Sequence, residues 1–299
     1  MSSDTATITK AAPAADSTTT PTTGATRPSR RPFGPRAGLV ALAVVLAAVS
    51  IFPVLWMITS SFKTRATVTD GKLLPTDLTW SNFAYVFTEV PFVRWLFNSF
   101  ITAAVVTAVA LLFHSMAAYA LARLKFPGRD GIFMVIFSTL LITAPVILIP
   151  LFVVVRTLGM LDSYAALIIP PLFNAFGIFL LRQFYLGIPK ELEEAAIVDG
   201  CGYWRVYWNI ILPLSRPILS ALSVFFFLAN WNAFAWPLVA TNGADLTVIQ
   251  VGIASFSTQY GANWNYVLAA AVVAVIPMLA LFLVFQRQMV ESIKTSGLK

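Results

Sequence analysis

Residues 189–213 form the most unusual stretch of the sequence, PKELEEAAIVDGCGYWRVYWNIILP. Three glutamates stand beside two adjacent alanines, and a glycine and four aromatic residues follow. Clustered carboxylates can serve in acid–base catalysis or hold a metal ion, but both uses need further groups close by. The chain has one histidine, His114, and one cysteine, Cys201, which excludes a two-histidine metal site. We therefore predict no catalytic and no metal-ligating residue, and interpret the stretch as a lever that another surface moves.

The sequence also lacks a motif for nucleotide chemistry. A phosphate-binding P-loop needs GxxxxGK followed by Ser or Thr, so that backbone amides and the lysine hold the phosphates. The only Gly-Lys pair is Gly71 and Lys72, and Leu73 follows it. His114 has no acidic partner in its apolar stretch, which favours a hydrogen bond between packed helices over a proton relay. If this protein pumps a solute, another chain has to supply the energy.

The composition is that of a membrane protein, because 58% of the residues are hydrophobic and only 11% are charged. A soluble domain carries about a quarter charged residues. Charges avoid hydrocarbon, so they outline the spans that they do not enter. Six long charge-free intervals lie between Arg36 and Lys63, Arg94 and Arg123, Asp130 and Arg156, Asp162 and Arg182, Arg216 and Asp245, and Asp245 and Arg287. Each can supply the roughly 20 apolar residues of a span, which predicts an all-α membrane protein with six transmembrane helices.

Basic residues predict the orientation of the chain, because Lys and Arg are retained on the cytoplasmic side. Fifteen of the 20 Lys and Arg lie before span 1 or after spans 2, 4 and 6. Both termini are therefore predicted to be cytoplasmic, in a multi-pass membrane protein. This topology accounts for the net charge of +7. Membrane lipid is the expected environment, and no nucleic-acid partner is expected.

The N-terminal 36 residues differ in composition from the rest. Residues 1–36 are rich in Thr and Pro and contain STTTPTTGATRPSRRP, which predicts a disordered cytoplasmic arm. Residues 37–299 are predicted to form the transmembrane domain. A cleaved signal peptide is the alternative, but the first apolar run continues through IFPVLWMI. That run exceeds the 7–15 apolar residues of a signal peptide, so we expect the first span to be retained.

The glutamate-rich segment has the sequence signals of two short helices. Pro189 suits the start of the first helix, where the glutamates lie at the positive end of the helix dipole. Gly200 is expected to end it, because glycine adopts the left-handed conformation without steric cost. Spacings of three and four place Leu192, Ala195 and Ala196 on one face. Four aromatic residues follow at helical spacing: Tyr203, Trp204, Tyr207 and Trp208. This pattern is typical of a helix that lies at the level of the lipid headgroups.

These residues carry a resemblance to a known family. Glu194, Ala195 and Ala196 are followed by Gly200 four residues later and then by Ile210, Leu212 and Pro213. This spacing is similar to the EAA signature of the permease subunits of binding-protein-dependent ABC importers. Asp199 and Gly200 also fit the fuller form EAAxxDGA, with Cys201 where alanine is usual. The resemblance extends over roughly residues 38–299, and it is strongest with the carbohydrate branch, of the maltose-transporter type.

The resemblance implies an ABC type I importer permease fold in which residues 187–213 form the coupling loop. In this family the EAA helix docks in a cleft on a cytoplasmic ATPase subunit and moves with it as a rigid body. Glu194 would pair with a basic ATPase residue, and Gly200 would set the angle between the two short helices. Ala195 and Ala196 would fit the cleft. The residues expected to couple to the ATPase are Glu194, Ala195, Ala196, Asp199, Gly200, Ile210, Leu212 and Pro213.

The resemblance also implies a location in the bacterial cytoplasmic (inner) membrane and three partners. They are a second permease subunit that completes a heterodimer, an ABC ATPase dimer and an extracytoplasmic solute-binding protein. No cofactor is expected on this chain, because ATP and Mg would be bound by the ATPase subunits. The tail, residues 295–299, is expected near the ATPase. Residues 241–265 take the place of a loop that resembles a probe for the solute-binding protein, although a solvated connector is the alternative.

Span 5 carries the candidate substrate path, which consists of Asn230, Trp231, Asn232 and Trp236. Amides can bond sugar hydroxyls, and aromatic rings suit the apolar faces of sugars. Intramembrane amides also hold helices together and tryptophans anchor them at interfaces, and we favour this structural role. The resemblance therefore implies a permease subunit that imports a carbohydrate and is not an enzyme. The alternative is a stand-alone facilitator or channel for small polar solutes.

Overall fold

The structure is a computed structural model that describes residues 34–258 and 261–296. The chain divides into two units, residues 1–50 and residues 51–299, and the packing below is that of the second unit. The predicted arm, residues 1–36, lies outside the described residues except for its last three, which begin the first helix.

Most of the described residues are helical, as expected where a bilayer forces every backbone group to bond within its own segment. The helices are α1 (Gly34–Ser61), α2 (Ser81–Thr88), α3 (Phe92–Arg123), α4 (Arg129–Ser138), α5 (Ala144–Thr157), α6 (Tyr164–Ile168), α7 (Ala175–Leu186), α8 (Glu191–Val198), α9 (Tyr203–Val206), α10 (Leu212–Leu214), α11 (Arg216–Trp231), α12 (Ala235–Ala240), α13 (Ile249–Ser255) and α14 (Trp264–Ser296). Short 3₁₀ turns cover Thr139–Leu141 and Pro170–Leu172, and a π-helix covers Tyr207–Ile211. Strands β1 (Ser257–Thr258) and β2 (Gly261–Ala262) pair antiparallel.

Three of these helices are long and apolar enough to cross a membrane: α1, α3 and α14. Three bent pairs also qualify if each is counted as one span, which gives up to six spans in the described part of the chain. The bends measure 106° between residues 129–141 and 144–157, 40° between 164–172 and 175–186, and 74° between 203–214 and 216–231. Each break has at least one proline within two residues of it. Proline lacks a backbone N–H and disfavours helix in the residue before it, which accounts for an interruption at these places.

Helix α3 is the centre of the bundle and packs against α7, α11 and α13. Its 32 residues correspond to a length of about 48 Å at 1.5 Å per residue. Its C-terminal half contributes to a core with α7, α9, the π-helix and α11. Its N-terminal half contributes to a second core with α2, α11, α13 and α14. The loops that contact the two ends of α3 are therefore connected through one continuous helix.

At its N-terminal end, α3 holds the segment that leads into α13. Asn98 donates hydrogen bonds from its amide to the carbonyl oxygens of Asp245 and Thr247, at 2.9 and 3.0 Å. Ser99 accepts a 2.7 Å hydrogen bond from the backbone N–H of Ile249. Each bond closes a loop of about 150 residues, so two polar side chains of one helix fix the position of a distant segment.

A buried lysine, which sequence patterns did not single out, organises the loop after α1. Lys63 is fully buried, and its ammonium contacts the Asp70 carboxylate at 2.8 Å and the carbonyl oxygen of Lys72. Asn82 donates to the carbonyl of Lys63, and it accepts a hydrogen bond from Asn265 in α14. This polar cluster joins the end of α1 to α2 and α14.

Candidate functional site

The first short helix of the candidate segment forms as its sequence signals predict. Helix α8 begins at Glu191 and carries its three glutamates in the first turn, where the helix dipole favours acids. Gly200 follows its end with φ +82°, the left-handed conformation expected of it. The backbone N–H of Gly200 donates to Ile197 and that of Cys201 donates to Ala196. These two bonds form a Schellman motif, which stops the helix and turns the chain toward α9.

The faces of α8 differ from the expected arrangement. Glu193 is buried, with 7% of its surface exposed, whereas Glu194 and Ala195 are exposed. Ala196 is partly buried and packs against the core around the C-terminal half of α3. Val198 is 85% exposed. Together with Glu194 and Ala195 it forms the side of α8 that points away from the bundle, which we call the outer face. The two alanines therefore lie in different environments, and Ala195 is the one available to another surface.

Arg123 explains why Glu193 is buried. The two side chains are 3% and 9% exposed, and Nε of Arg123 lies 2.9 Å from Oε1 of Glu193. The angles are not those of a hydrogen bond, so the contact is mainly Coulombic. Burial raises the pKa of the Glu193 carboxyl above its usual range, and the guanidinium opposes that shift. Desolvation outweighs the attraction, as in many buried ion pairs, which specify geometry more than they add stability.

A second polar contact ties the segment to the bundle deeper in the structure. The hydroxyl of Ser115 in α3 lies 2.6 Å from that of Tyr185 in α7 and accepts a 2.8 Å hydrogen bond from Tyr207. All three side chains are buried. Tyr207 thus departs from the expected row of interfacial aromatics, whereas Trp204 remains largely exposed.

The C-terminal part of the segment turns into α11. Ile210 and Leu212 pack against the same core as Ala196, and Pro213 is exposed. The backbone N–H of Leu212 donates to the carbonyl of Tyr207, five residues back, as in a π-helix. This wider turn precedes Pro213, which lacks an N–H and would crowd the preceding turn of a regular α-helix.

The candidate substrate-path residues divide between core positions and a cavity. Trp231 is buried and stacks on Phe227, with ring centroids 5.8 Å apart. The indole N–H of Trp236 donates a 2.8 Å hydrogen bond to the carbonyl of Ala166. Asn230 and Trp236 both line a cavity of about 250 Å³. The amide nitrogen of Asn230 donates a 2.8 Å hydrogen bond to the carbonyl of Phe226, one turn back in its own helix.

Asn232 is exposed at the end of α11. Its amide donates a 2.9 Å bond to the carbonyl of Leu228, and its oxygen accepts a 3.0 Å bond from Gln250. The structure therefore places Asn232 apart from the cavity residues, at the contact between α11 and α13.

His114 lies beside a larger cavity of about 960 Å³, between α3 and the breaks in two bent pairs. Its Nε2 donates a 2.9 Å hydrogen bond to the carbonyl of Leu172, which the helix break leaves without a helical partner. Gly177 allows this close approach, because a Cβ there would lie 2.4 Å from the imidazole. This is the helix-packing role expected of a single intramembrane histidine.

Other predicted features lie at the edge of what the structure describes. Residues 241–265 contain α13 and the two strands, apart from residues 259–260, which lie outside the described residues. Of the tail, residues 297–299 lie outside them as well. Within the described ranges, no group of three or more His, Cys, Asp or Glu is placed to hold a metal ion.

Sequence patterns identified α8 and its glycine but missed Arg123, Tyr185 and Ser115. Arg123 had a signal, since it is the basic residue at the end of a predicted span. The pairing of Arg123 with Glu193 depends on how α8 is rotated about its axis relative to the bundle. That rotation decides which of the three neighbouring glutamates faces inward.

Comparison with known proteins gives a consistent result. The family model described as "Binding-protein-dependent transport system inner membrane component" matches residues 114–295. An arabinooligosaccharide transport system permease protein of Halalkalibacterium halodurans is 36% identical over 259 residues, which is 85% of this chain and 93% of that protein. An sn-glycerol-3-phosphate transport system permease protein of Yersinia enterocolitica is 37% identical over 232 residues, 75% of this chain and 83% of that protein. A chain from the crystal structure of a bacterial ABC transporter for the import of alginate superimposes with a TM-score of 0.74. It is 25% identical, with 87% of this chain and all of that chain covered.

Proposed function

This chain belongs to the inner-membrane components of binding-protein-dependent transport systems, and on that premise we propose that it is the permease subunit of an ATP-driven carbohydrate importer. It contributes half of a heterodimeric pore and carries out no catalytic step of its own. Its partners are a second permease, an ABC ATPase dimer that binds ATP and Mg, and an extracytoplasmic solute-binding protein. Both termini and residues 187–213 face the cytoplasm.

The observation that carries the proposal is the outer face of α8. The helix is fixed to its own bundle on one side by Glu193 and Ala196, and on the other it exposes Glu194, Ala195 and Val198. An acid beside small and apolar side chains suits a cleft with a basic residue at its rim. We assign Glu194 and Ala195 to the ATPase contact, and Ala196 to packing within this chain.

The remaining coupling residues support the outer face in this proposal. Asp199 and Gly200 end α8, and the Schellman motif sets the direction in which the chain leaves it. Ile210 and Leu212 seat the following helix on the core, and Pro213 lies at its turn into α11. A push on α8 is then transmitted to α11, which carries Asn230 of the candidate substrate path.

The carbohydrate assignment is supported by the named solutes of similar proteins, arabinooligosaccharides and alginate. Asn230 and Trp236 at the 250 Å³ cavity offer an amide and an indole ring, a combination that suits sugar hydroxyls and sugar faces. We propose that they form the part of the solute path contributed by α11 and α12, with Trp231 and Asn232 as structural neighbours.

The test is transport by the assembled importer. This chain carries the affinity tag and is co-expressed with the second permease and the ATPase subunits of the same cell, and the purified complex is placed in liposomes. Radiolabelled arabinotriose and an alginate trisaccharide are offered outside with the solute-binding protein, and ATP is supplied inside. We expect the ATPase to co-purify, and uptake of at least one sugar to require both ATP and the binding protein.

Two results would contradict the proposal. Uptake at the same rate without ATP would indicate a facilitator or channel. A tagged chain that retains no ATPase subunit, although both are expressed and folded, would remove the role of α8.

A further inference from the structure

We propose that Arg123 and Glu193 form the joint through which α8 moves the transmembrane bundle. This inference rests on the proposed function and deepens it, because it assigns the contact that transmits motion within this chain. Neither side chain lies on the outer face of α8 or at the candidate solute path. They are positioning residues, and their role differs from that of Glu194, which is assigned to the ATPase.

The contacts of Arg123 carry the inference. It is the last residue of α3, and its guanidinium donates to the carbonyl oxygens of Tyr185, at 2.5 Å, and of Ile188. These carbonyls lie at the C-terminal end of α7 and just beyond it, where the helix dipole favours a cation, and the Tyr185 carbonyl also accepts a 3.1 Å hydrogen bond from the backbone N–H of Ile188. The same guanidinium contacts Glu193 in the first turn of α8, at 2.9 Å. One planar group therefore holds the end of α3, the end of α7 and the start of α8 together.

The geometry of this joint is stiff. A guanidinium presents its donors in a fixed planar arrangement, unlike the ammonium of lysine on its flexible stem. Both side chains are almost fully buried, so moving α8 away from α3 would separate a desolvated ion pair. The turn between α7 and α8 contains only residues 187–190, and the joint spans it. A displacement of α8 is consequently passed to α3 and α7 instead of being absorbed in the turn.

The joint acts together with the Ser115, Tyr185 and Tyr207 hydroxyl contact, which fixes the second half of the segment to the same two helices. Tyr185 belongs to both, through its backbone carbonyl and its hydroxyl. The two ends of the coupling segment are thus attached to α3 about two turns apart, and α3 continues to the opposite end of the bundle.

The experiment compares variants of this chain in the complete importer in liposomes. Glu193→Gln preserves the shape of the side chain and removes its charge, and Arg123→Lys keeps the charge and removes the fork. We expect both to retain the ATPase subunits on the tagged chain, since the outer face of α8 is unchanged. Stimulation of ATP hydrolysis by the solute-binding protein should fall about tenfold, within the range found for contacting pairs. The double variant should lose no more than the worse single variant.

Lys125→Gln is the matched control, because it removes a charge two residues after Arg123, at an exposed position outside α8. It should keep stimulation within about twofold of the wild type, the scale of a surface charge. Stimulation within that range in Glu193→Gln and Arg123→Lys as well would overturn the joint. If the wild type itself lacks an ATPase partner or any stimulation, the proposed function fails and not this inference alone.

A measurement without either substitution keeps the inference testable should the variants not fold. Spin labels are placed at Lys125→Cys and Leu192→Cys, both exposed positions that are not among the residues assigned to the ATPase contact, in a chain with Cys201→Ser. The distance between α8 and the end of α3 is then measured in the nucleotide-free importer and in the vanadate-trapped importer. A rigid joint predicts the same distance in both states. A distance that changes between them would overturn it.

Discussion

Gly200 offers a graded test of the coupling segment, because its cost of substitution can be worked out from the backbone alone. Its φ is +82°, and a Cβ built there meets nothing within 4 Å. Replacement by alanine therefore adds no clash and costs only the left-handed conformation, about 1–2 kcal/mol for an L-residue. That lowers the population of the observed turn by a factor of about 5–30. Asparagine tolerates this conformation better, and proline is excluded by its fixed negative φ and its missing N–H.

The assay is ATP hydrolysis by the purified importer, stimulated by the solute-binding protein, with retention of the chain in the membrane as the check on folding. We expect stimulation to decrease in the order Gly200, Gly200→Asn, Gly200→Ala, Gly200→Pro, and to vanish in the last together with uptake. Gly202→Ala is the matched control, since Gly202 lies two residues on with φ −74° and also has open space around it. Equal activity of Gly200→Ala and Gly202→Ala, or normal transport by Gly200→Pro, would refute the reasoning.

Three further predictions concern other residues. Glu194→Lys should leave the chain folded and inserted but abolish uptake, because like charges across an interface cost several kcal/mol; normal uptake would contradict this. Gly252→Ala should destabilise the bundle by about 1–3 kcal/mol, because its Cβ would lie 2.2 Å from the buried ring of Trp95; an unchanged melting temperature in detergent would contradict it. The ammonium of Lys63 lowers the pKa of the Asp70 carboxyl below its ordinary value of 3.8. The ion pair therefore stabilises the folded state at neutral pH, and this contribution is lost as the pH falls from 3.8 through the lowered pKa of Asp70. The difference in melting temperature between wild type and Asp70→Asn should shrink over that range, and a constant difference would count against the ion pair.

The elements with a local cause could be predicted from the sequence. The end of α8 at Gly200 follows from a property of one residue, and the six apolar intervals follow from the cost of charge in hydrocarbon. His114 was expected to bond a neighbouring helix because the sequence offers it no acidic partner. Prolines lie beside the bends of the three bent helix pairs, but the angles of the bends depend on packing.

The contacts between distant residues could not be predicted in the same way. Arg123 and Glu193 are separated by 70 residues, and their meeting depends on how α3, α7 and α8 pack. Tyr207 was placed with the interfacial aromatics because its spacing matched theirs, whereas helix phase turns it toward Ser115. Lys63 is buried because a loop folds over it, and the spacing of apolar residues along the sequence does not predict such a loop. In each case a polar side chain lies inside because its partner comes from another element.

The most direct test of the central claim is a cross-link between α8 and the subunit that hydrolyses ATP. Ala195→Cys, in a chain with Cys201→Ser, presents one thiol on the outer face of α8, and a short bifunctional reagent is applied to membranes that contain the complete importer. The account predicts a cross-linked product that contains this chain and the ATPase, with no such product from a cysteine at the opposite end of the bundle. The absence of any cross-link to an ATP-hydrolysing subunit, with and without nucleotide, would contradict it.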